Sequence, residues 1–485
     1  AWDITNNPGV GVMVYRSEAG AGRFAVEGLQ LRWDYAADGL GLEDEFGMKV
    51  YAVEMVYVAP GAFYLGSDSA GTEDARFRAG MTDSGDSDHS DSTPFFVTDN
   101  WDGCVSDTDG CLWANGGVGL NSTDTNSMDA GGTLSTGFPT GFLGFYGMKY
   151  EVSQQQYVDF LNSLSVAQAQ ARAYVDGANR SGISYVDLSG GVALSDGVEP
   201  TNDTNDMEPA GGVAGYYTTS TPYVANNYMN WIDAAAYLDW AGLRPMTELE
   251  YEKASRGYAE TVADGYAWGS ATISSTGDTS NYSNLGEADE GASQGNAVYD
   301  GSNPGGPARV GIFAGTATSR EQSGSGYWGM MELSGNVGEM YVTVGNETGR
   351  GYSGLHGDGT LSANGLATVA SWPGEDNGEI MGAGGSGLRG GSLSDTEAGL
   401  ATAVRTAAAT GVGTRAKNTG LRGARTMPDE NIVALTVQIS GDGEPNVGGV
   451  VSPLSGSYTT GTQVELTASP VYGWGFSEWL GDVPG

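Results

Sequence analysis

Glycine is the residue that most restricts what this chain can fold into. The 485-residue sequence contains 80 glycines but only 16 prolines, and the glycines follow no three-residue period. Glycine adopts backbone angles that other residues avoid, and it weakens the interiors of helices and strands. The lack of a three-residue period excludes a collagen-like triple helix. We therefore expect a globular protein in which tight turns and loops outweigh regular secondary structure.

The charge balance is strongly acidic. There are 60 aspartates and glutamates against 21 lysines and arginines, which gives a formal net charge of -39 at pH 7. A negative field of this size repels phosphate backbones and anionic lipid, so nucleic acid is not an expected partner. Many carboxylates can bind hard cations such as calcium, although an ordinary acidic surface explains the same composition. Because no apolar run reaches membrane-spanning length, we expect no membrane insertion.

The only two cysteines, Cys104 and Cys111, lie close together in a polar, turn-rich segment. In an oxidising compartment, a disulfide between them is favoured over two free thiols. The two histidines, His89 and His356, lie far apart in polar stretches. This separation excludes a histidine-built iron or zinc site. The chain starts with alanine and shows no signal peptide, so we interpret it as a mature or trimmed product.

Strand and helix signals divide the chain into three predicted parts. Residues 1–54 and 431–485 contain short runs of β-branched and aromatic residues between glycine-rich turns, which is typical of strands. Residues 55–430 mix strands and helices with long polar loops. Two of these helices begin with predicted capping boxes, at Ser153 and Thr247. The pattern predicts an α+β domain that is flanked by small β-rich segments at both ends.

Several short motifs follow one another through the central part of the chain. They are, in order, MVYVAPGAFYLG at 55–66, GMKYEVS at 147–153, NWIDA at 230–234, LRPMTELEYEKASRG at 243–257, MELSGNVGE at 331–339, RGGS at 389–392 and GLR at 420–422. Together they resemble the formylglycine-generating enzyme family, also called the sulfatase-modifying factor family. The resemblance covers about 55–427 and implies a compact variant of the C-type-lectin fold, with little regular secondary structure.

The resemblance does not extend to the family's catalytic cysteines. Active members use two cysteines shortly after the Arg-Gly-Gly-Ser motif to bind copper and activate oxygen, which requires soft thiolates. Counted from Ser392, those positions hold Asp395 and Leu400. Leucine cannot ligate a metal, and a lone carboxylate does not suit copper(I). Since a fold does not carry its chemistry with it, we predict a protein without catalytic residues.

Residues 334–339 resemble a calcium loop of the same family, which uses Asn and Glu side chains together with backbone carbonyls. Asn336 and Glu339 are both present, and oxygen ligands at this spacing suit a hard cation. Gly338 and Met340 replace residues that are usually aromatic. The structural alternative is that Asn336 caps a turn and Glu339 makes a buried hydrogen bond. We expect calcium as a structural cofactor, bound through Asn336 and Glu339.

Two further segments bear on partners and location. Residues 393–417 correspond to the family's ligand-facing surface and are nearly bare of aromatic side chains, which favours packing against protein over binding a small ligand. Residues 434–485 resemble the internalin-type B-repeat of bacterial surface proteins. The matching motifs are LTV at 435–437, VGGVVSP at 447–453, GTQVELTA at 461–468 and GFSEWLGD at 475–482. Because such repeats normally continue with two further strands, we expect a partial repeat.

These observations predict a non-catalytic structural or adhesive protein that is secreted to the cell surface or the extracellular space. The β-rich ends hold too few strands to cover a sheet, so we expect other copies of the chain to supply strands, building a filament or surface layer. The alternative is that the chain continues beyond both ends and that the missing strands lie there. A second functional hypothesis is a calcium-dependent, lectin-like module that binds a surface glycan or protein.

Overall fold

The computed structural model of the protein describes residues 49–67, 76–79, 94–106, 108–113, 131–175, 177–187, 215–277, 279–315 and 317–427, with short stretches within 2–41 and 432–477. The chain forms two compact units: residues 28–426 make the larger one, and residues 1–27 with 427–485 make the smaller one. The boundaries that the sequence predicts near residues 54 and 430 stay predictions.

Two sheets of more than two strands are present among the described residues of the larger unit. The first is antiparallel and has the spatial strand order Arg244–Pro245, Gly423–Thr426, Phe145–Met148 and Met55–Val58. The second places Gly338–Val342 between Ser386–Arg389, which is antiparallel to it, and Thr419–Gly420, which is parallel. Other strands form antiparallel pairs: Phe63–Leu65 with Phe95–Val97, Cys104–Val105 with Gly132–Thr133, Ile183–Asp187 with Gly215–Thr219, Tyr282–Ser283 with Gly291–Ala292, and Glu375–Asp376 with Glu379–Ile380.

The helices are short and have well-defined starts. The α-helices are Gln154–Leu161, Val166–Arg172, Trp231–Trp240, Glu248–Arg256, Arg320–Ser323 and Glu347–Arg350, and the 3-10 turns are Thr279–Asn281, Ile312–Ala314 and Glu397–Leu400. Capping boxes begin the four longest helices, and the two predicted at Ser153 and Thr247 are confirmed. In each box a side-chain oxygen accepts from the third backbone amide, which satisfies a donor that the helix leaves free.

The helix Glu248–Arg256 lies in the core although most of its residues are polar. All nine of its residues are buried. Two of its three carboxylates are neutralised by arginines from distant segments: Arg389 lies 2.9 Å from Glu248 and 2.6 Å from Glu252, and Arg405 lies 2.7 Å from Glu248. Removing one partner of such a buried pair typically costs about 3–5 kcal/mol. These ion pairs therefore hold the segment around Arg389 against the core.

The smaller unit contains only short antiparallel strand pairs among its described residues. They are Trp2–Ile4 with Val12–Val14, Ile432–Thr436 with Ser455–Thr459, Ser440–Gly441 with Glu444–Pro445, and Gly449–Ser452 with Thr467–Pro470. The protein is thus α+β with little regular secondary structure, as the sequence predicts. Within the described ranges, no helix combines the length and the apolar character needed to cross a bilayer.

Candidate functional site

The Arg-Gly-Gly-Ser motif positions the segment where the family resemblance predicts chemistry. Gly390 and Gly391 both have positive φ, at 86° and 63°. A Cβ on Gly390 would lie 2.8 Å from the carbonyl oxygen of Leu333, and one on Gly391 would lie 2.7 Å from that of Gly399. Only glycine permits both approaches, because a side chain would be strained and would clash. The glycine pair therefore sets the path of residues 392–400.

Asp395 and Leu400 are both held by protein contacts. The Asp395 carboxylate accepts a hydrogen bond of 2.5 Å from the hydroxyl of Ser392, and the Asp395 amide donates to the Ser392 carbonyl oxygen. Leu400 has no exposed surface, and it packs in an apolar cluster with Tyr266, Trp268 and Tyr299. Asp395 therefore belongs to a hydrogen-bonded turn, and Leu400 belongs to the hydrophobic core.

A polar cavity lies beside this segment. Its volume is about 260 Å³, and the side chains around it include Asn179, Asp300, Asn303, Leu393, Ser394 and Lys417. The sequence-based expectation for residues 393–417 was a surface suited to protein packing, because aromatic side chains are nearly absent. In the structure, Leu393, Ser394 and Lys417 of this segment line a concave, polar edge, and packing against protein stays a prediction.

The walls of this cavity are tied together by side-chain amides. Asn227 is buried, and its Nδ2 donates to the backbone carbonyl oxygens of Asn179 and Lys417, both at 3.1 Å. Asn303 donates to the carbonyl oxygen of Leu393 at 3.2 Å. A Cβ on Gly306 would lie 2.3 Å from the Asn179 carbonyl oxygen, so only glycine allows these two walls to meet. The cavity is therefore shaped before any ligand arrives.

Asn336 and Glu339, the predicted calcium ligands, are buried and already have protein partners. Oδ1 of Asn336 accepts from the Ala308 amide at 2.8 Å. One oxygen of Glu339 accepts from Arg422 at 2.7 Å, and the other accepts from the Tyr341 hydroxyl. Among the residues that the structure describes, no group of three or more His, Cys, Asp or Glu side chains is placed to hold a metal.

As arranged, this pair does not fit a calcium ion, because the side-chain oxygens that would face the ion are occupied by protein donors. Asn336 also has a positive φ of 64°, and its carbonyl oxygen accepts from the Leu393 amide at 2.7 Å. These contacts match the structural alternative, a turn residue and a buried hydrogen-bonded carboxylate. Calcium binding through Asn336 and Glu339 stays an untested prediction.

Two more carboxylates, which the sequence analysis missed, lie near Glu339. Burial raises the pKa of Glu151 well above its usual value, and repulsion from Glu332 and Glu339 adds to the effect. Burial likewise raises the pKa of Glu332 to about 7. Oε1 of Glu332 accepts from the Gly311 amide, whereas Oε2 is buried and has no hydrogen-bond partner among the described residues. The guanidinium groups of Arg422 and Arg309 act to lower the pKa of Glu332, but the effect of burial is larger.

The two cysteines are joined in a disulfide in the structure. The Cα atoms of Cys104 and Cys111 are 5.0 Å apart, within the range that a disulfide requires. The bond closes a short loop whose turn is also held by a hydrogen bond from the Cys111 amide to the Thr108 carbonyl oxygen. Since the sequence contains no other cysteine, no free thiol remains for metal or oxygen chemistry while this bond is intact.

A family profile described as the sulfatase-modifying factor enzyme 1-like domain matches residues 107–427, more than half of the chain. The chain belongs to this family. A divergent InlB B-repeat domain matches residues 442–485 of this sulfatase-modifying factor family member. Both matches agree with the motifs that the sequence analysis identified.

Relatives of this family member include a curated formylglycine-generating enzyme of Thermomonospora curvata, which is 32% identical over 129 residues. That match covers 25% of this chain and 39% of the enzyme, so the chain spans about two fifths of the length of its curated relative. Solved structures that resemble it include Treponema denticola variable protein 1, at 15% identity and a TM-score of 0.31, covering 78% of this chain and 99% of that one. PvdO from Pseudomonas aeruginosa follows at 11% identity and a TM-score of 0.30, covering 77% and 94%.

The sulfatase-modifying factor motifs located the segment 392–400 but not the cavity beside it. Its polar groups come from four separate parts of the chain, around Asn179, Asp300, Ser394 and Lys417. No spacing rule connects residues so far apart, and none of them lies in a recognisable motif. One signal was available: Lys417 is one of only four lysines in a chain with 60 acidic residues.

Proposed function

We propose that this protein is a non-catalytic member of its family that acts at the cell surface as a binding or structural protein. The observation that carries the proposal is the set of contacts that the residues at positions 395 and 400 make. Asp395 is engaged by Ser392, and Leu400 is sealed among aromatic rings. Copper(I) and oxygen chemistry needs soft thiolate ligands, and the only two thiols in the chain are bonded to each other.

An activity assay tests the loss of catalysis. The purified protein is incubated with copper, oxygen and a peptide that carries a sulfatase motif, and formylglycine is measured by mass spectrometry. We expect no product above the no-enzyme control, whereas an active formylglycine-generating enzyme serves as the positive control. Treatment with reductant forms a second arm, because it releases Cys104 and Cys111. Turnover in either arm would overturn the proposal.

The surface location is supported by two independent features. The B-repeat match at 442–485 resembles the internalin-type repeats of bacterial surface proteins. The disulfide between Cys104 and Cys111 suits an oxidising compartment, since cytosolic thiols are normally kept reduced. Protease treatment of intact cells, followed by mass spectrometry, tests this location. Peptides of this chain should disappear from the cell surface, while those of a cytosolic marker protein should survive.

Self-assembly is the second function that a specific observation favours. The described strands of the smaller unit form pairs, and a two-stranded pair is marginally stable alone and leaves backbone donors and acceptors at its edges. Strands from other copies would complete such sheets, and a head-to-tail contact of this kind need not close. Sedimentation at several concentrations should reveal large assemblies of the full chain but not of variants that lack 1–20 or 463–485. Identical sedimentation of all three would refute assembly through these strands.

The calcium-dependent lectin-like alternative would instead require a glycan or protein ligand whose binding is lost when a chelator removes calcium.

A further inference from the structure

We infer that the cavity beside residues 392–400 binds a small zwitterion, a molecule with one ammonium and one carboxylate group, such as a free α-amino acid. The inference rests on the proposed function, because it treats this site as a binding site and not as a catalytic one. Asp300 would receive the ammonium and Lys417 the carboxylate. Ser394 and Asn179 would supply further hydrogen bonds.

The size and lining of the cavity restrict the ligand. Its volume of about 260 Å³ lies below the usual range of about 300–1,000 Å³ for small-molecule pockets, so it suits one amino acid or one sugar ring. Leu393 is the only large apolar residue in its lining, and no aromatic ring lines it. A sugar ring would therefore lack a stacking partner, which such ligands commonly use. The polar groups must carry the recognition.

Two opposite charges in this lining, both exposed to solvent, form no ion pair with any residue that the structure describes. Within the described ranges, neither Asp300 nor Lys417 forms an ion pair, and they do not pair with each other across the cavity. Two other lysine heads are engaged by the protein: Lys149 pairs with Glu54, and Lys253 donates to backbone carbonyl oxygens. An ammonium with no carboxylate partner is unexpected in a chain where acidic residues outnumber basic ones 60 to 21. A zwitterion satisfies both charges at once.

Uncharged polar groups complete the proposed site. The Ser394 hydroxyl forms no hydrogen bond among the described residues. The side-chain nitrogen of Asn179 donates to the Tyr228 hydroxyl, whereas its Oδ1 accepts no hydrogen bond from any described residue. Both atoms can accept from an ammonium, and the hydroxyl can also donate to a carboxylate. Since the cavity walls are tied by Asn227, binding would not require the loops to become ordered first, which favours affinity.

The overall charge of the protein selects among charged ligands. A net charge of -39 repels a simple anion over a distance that shortens as salt is added. A simple cation is attracted everywhere on such a surface, so it would gain little at one place. A zwitterion has no net charge and avoids both effects. The local pair of charges then decides where it binds.

Isothermal titration calorimetry of the full chain with L-alanine tests the inference. We expect saturable one-site binding to L-alanine, and at least about tenfold weaker binding to N-acetyl-L-alanine and to L-alaninamide, which each lack one charge. Asp300→Asn and Lys417→Gln should each weaken L-alanine binding by a similar factor. Asp376→Asn and Lys149→Gln are matched controls, since they remove the same charges elsewhere on the surface and should leave binding unchanged.

Several outcomes would overturn the inference. These are no heat with L-alanine at millimolar concentration, equal affinity for the two blocked analogues, or saturable binding of D-glucose in place of L-alanine. Because the analogue series uses the unaltered protein, it remains decisive even where a variant folds poorly. Formylglycine turnover would defeat the proposed function whatever these titrations show. Absence of both turnover and binding would defeat this inference alone.

Discussion

Replacing Leu400 with alanine should destabilise the larger unit by about 3–5 kcal/mol, a large share of the typical 5–15 kcal/mol of a domain. The side chain has no exposed surface and packs with Tyr266, Trp268 and Tyr299. Its two methyl groups also lie against backbone, since a Cβ built on Gly391 or Gly335 would approach them to 2.9 and 3.1 Å. Neighbours that are themselves rings or tightly turned backbone cannot collapse easily, so most of the cavity should persist.

Urea unfolding followed by tryptophan fluorescence and circular dichroism measures this loss. The midpoint should fall while the slope stays constant, which identifies a change in stability and not in the extent of unfolding. Leu143→Ala is the matched control, because Leu143 is 71% exposed. Its truncation should change stability by no more than about 0.5 kcal/mol.

A loss below about 1 kcal/mol, or one equal to that of Leu143→Ala, would refute the packing of Leu400. It would also weaken the proposal that position 400 cannot supply a catalytic thiol. A loosely packed leucine could be replaced by cysteine during evolution without repacking the core. Leu400→Cys provides an intermediate case. It should cost less than the alanine variant, because the sulfur fills part of the cavity.

Three other predictions concern charge, metal and the disulfide. Burial raises the folded-state pKa of Glu332 to about 7, so the folded chain keeps a proton that the unfolded chain releases near pH 4.5. Stability should therefore fall as pH rises between these two values, by up to about 1.4 kcal/mol per pH unit for this one proton. Urea unfolding at pH 5 and pH 8 checks this, and Glu332→Gln should flatten the dependence; stability that rises across this window would contradict it. EDTA is expected to leave the melting temperature unchanged, since Asn336 and Glu339 are occupied by protein donors; a fall that added calcium reverses would instead support the calcium hypothesis for this pair. Mass spectrometry without reductant should find Cys104 bonded to Cys111, and reduction should lower stability by about 2.5 kcal/mol, as the chain-entropy relation gives for so short a loop; two free thiols in fresh protein would refute the bond.

The buried charges show the limit of reading polarity along the sequence. The segment 248–256 contains acidic and basic residues that would usually lie at the surface, yet all of them are buried. The burial of Glu248 and Glu252 depends on Arg389 and Arg405, which lie well over a hundred residues away in the sequence. Composition and spacing do not reveal such a partnership. The tertiary structure creates it by bringing the two segments into one core.

The sequence by itself determined the local and the categorical features of this protein. Capping boxes at Ser153 and Thr247 join groups three residues apart, so the spacing of the side chains is sufficient to predict them. The ordered motifs identified the family, and the residues at 395 and 400 carry the prediction that its thiolate ligands are lost. Only the tertiary structure decided what surrounds those residues. The partners of Glu339 and the walls of the polar cavity come from segments far apart in the chain, and their meeting depends on the packing of the whole unit, which no local spacing encodes.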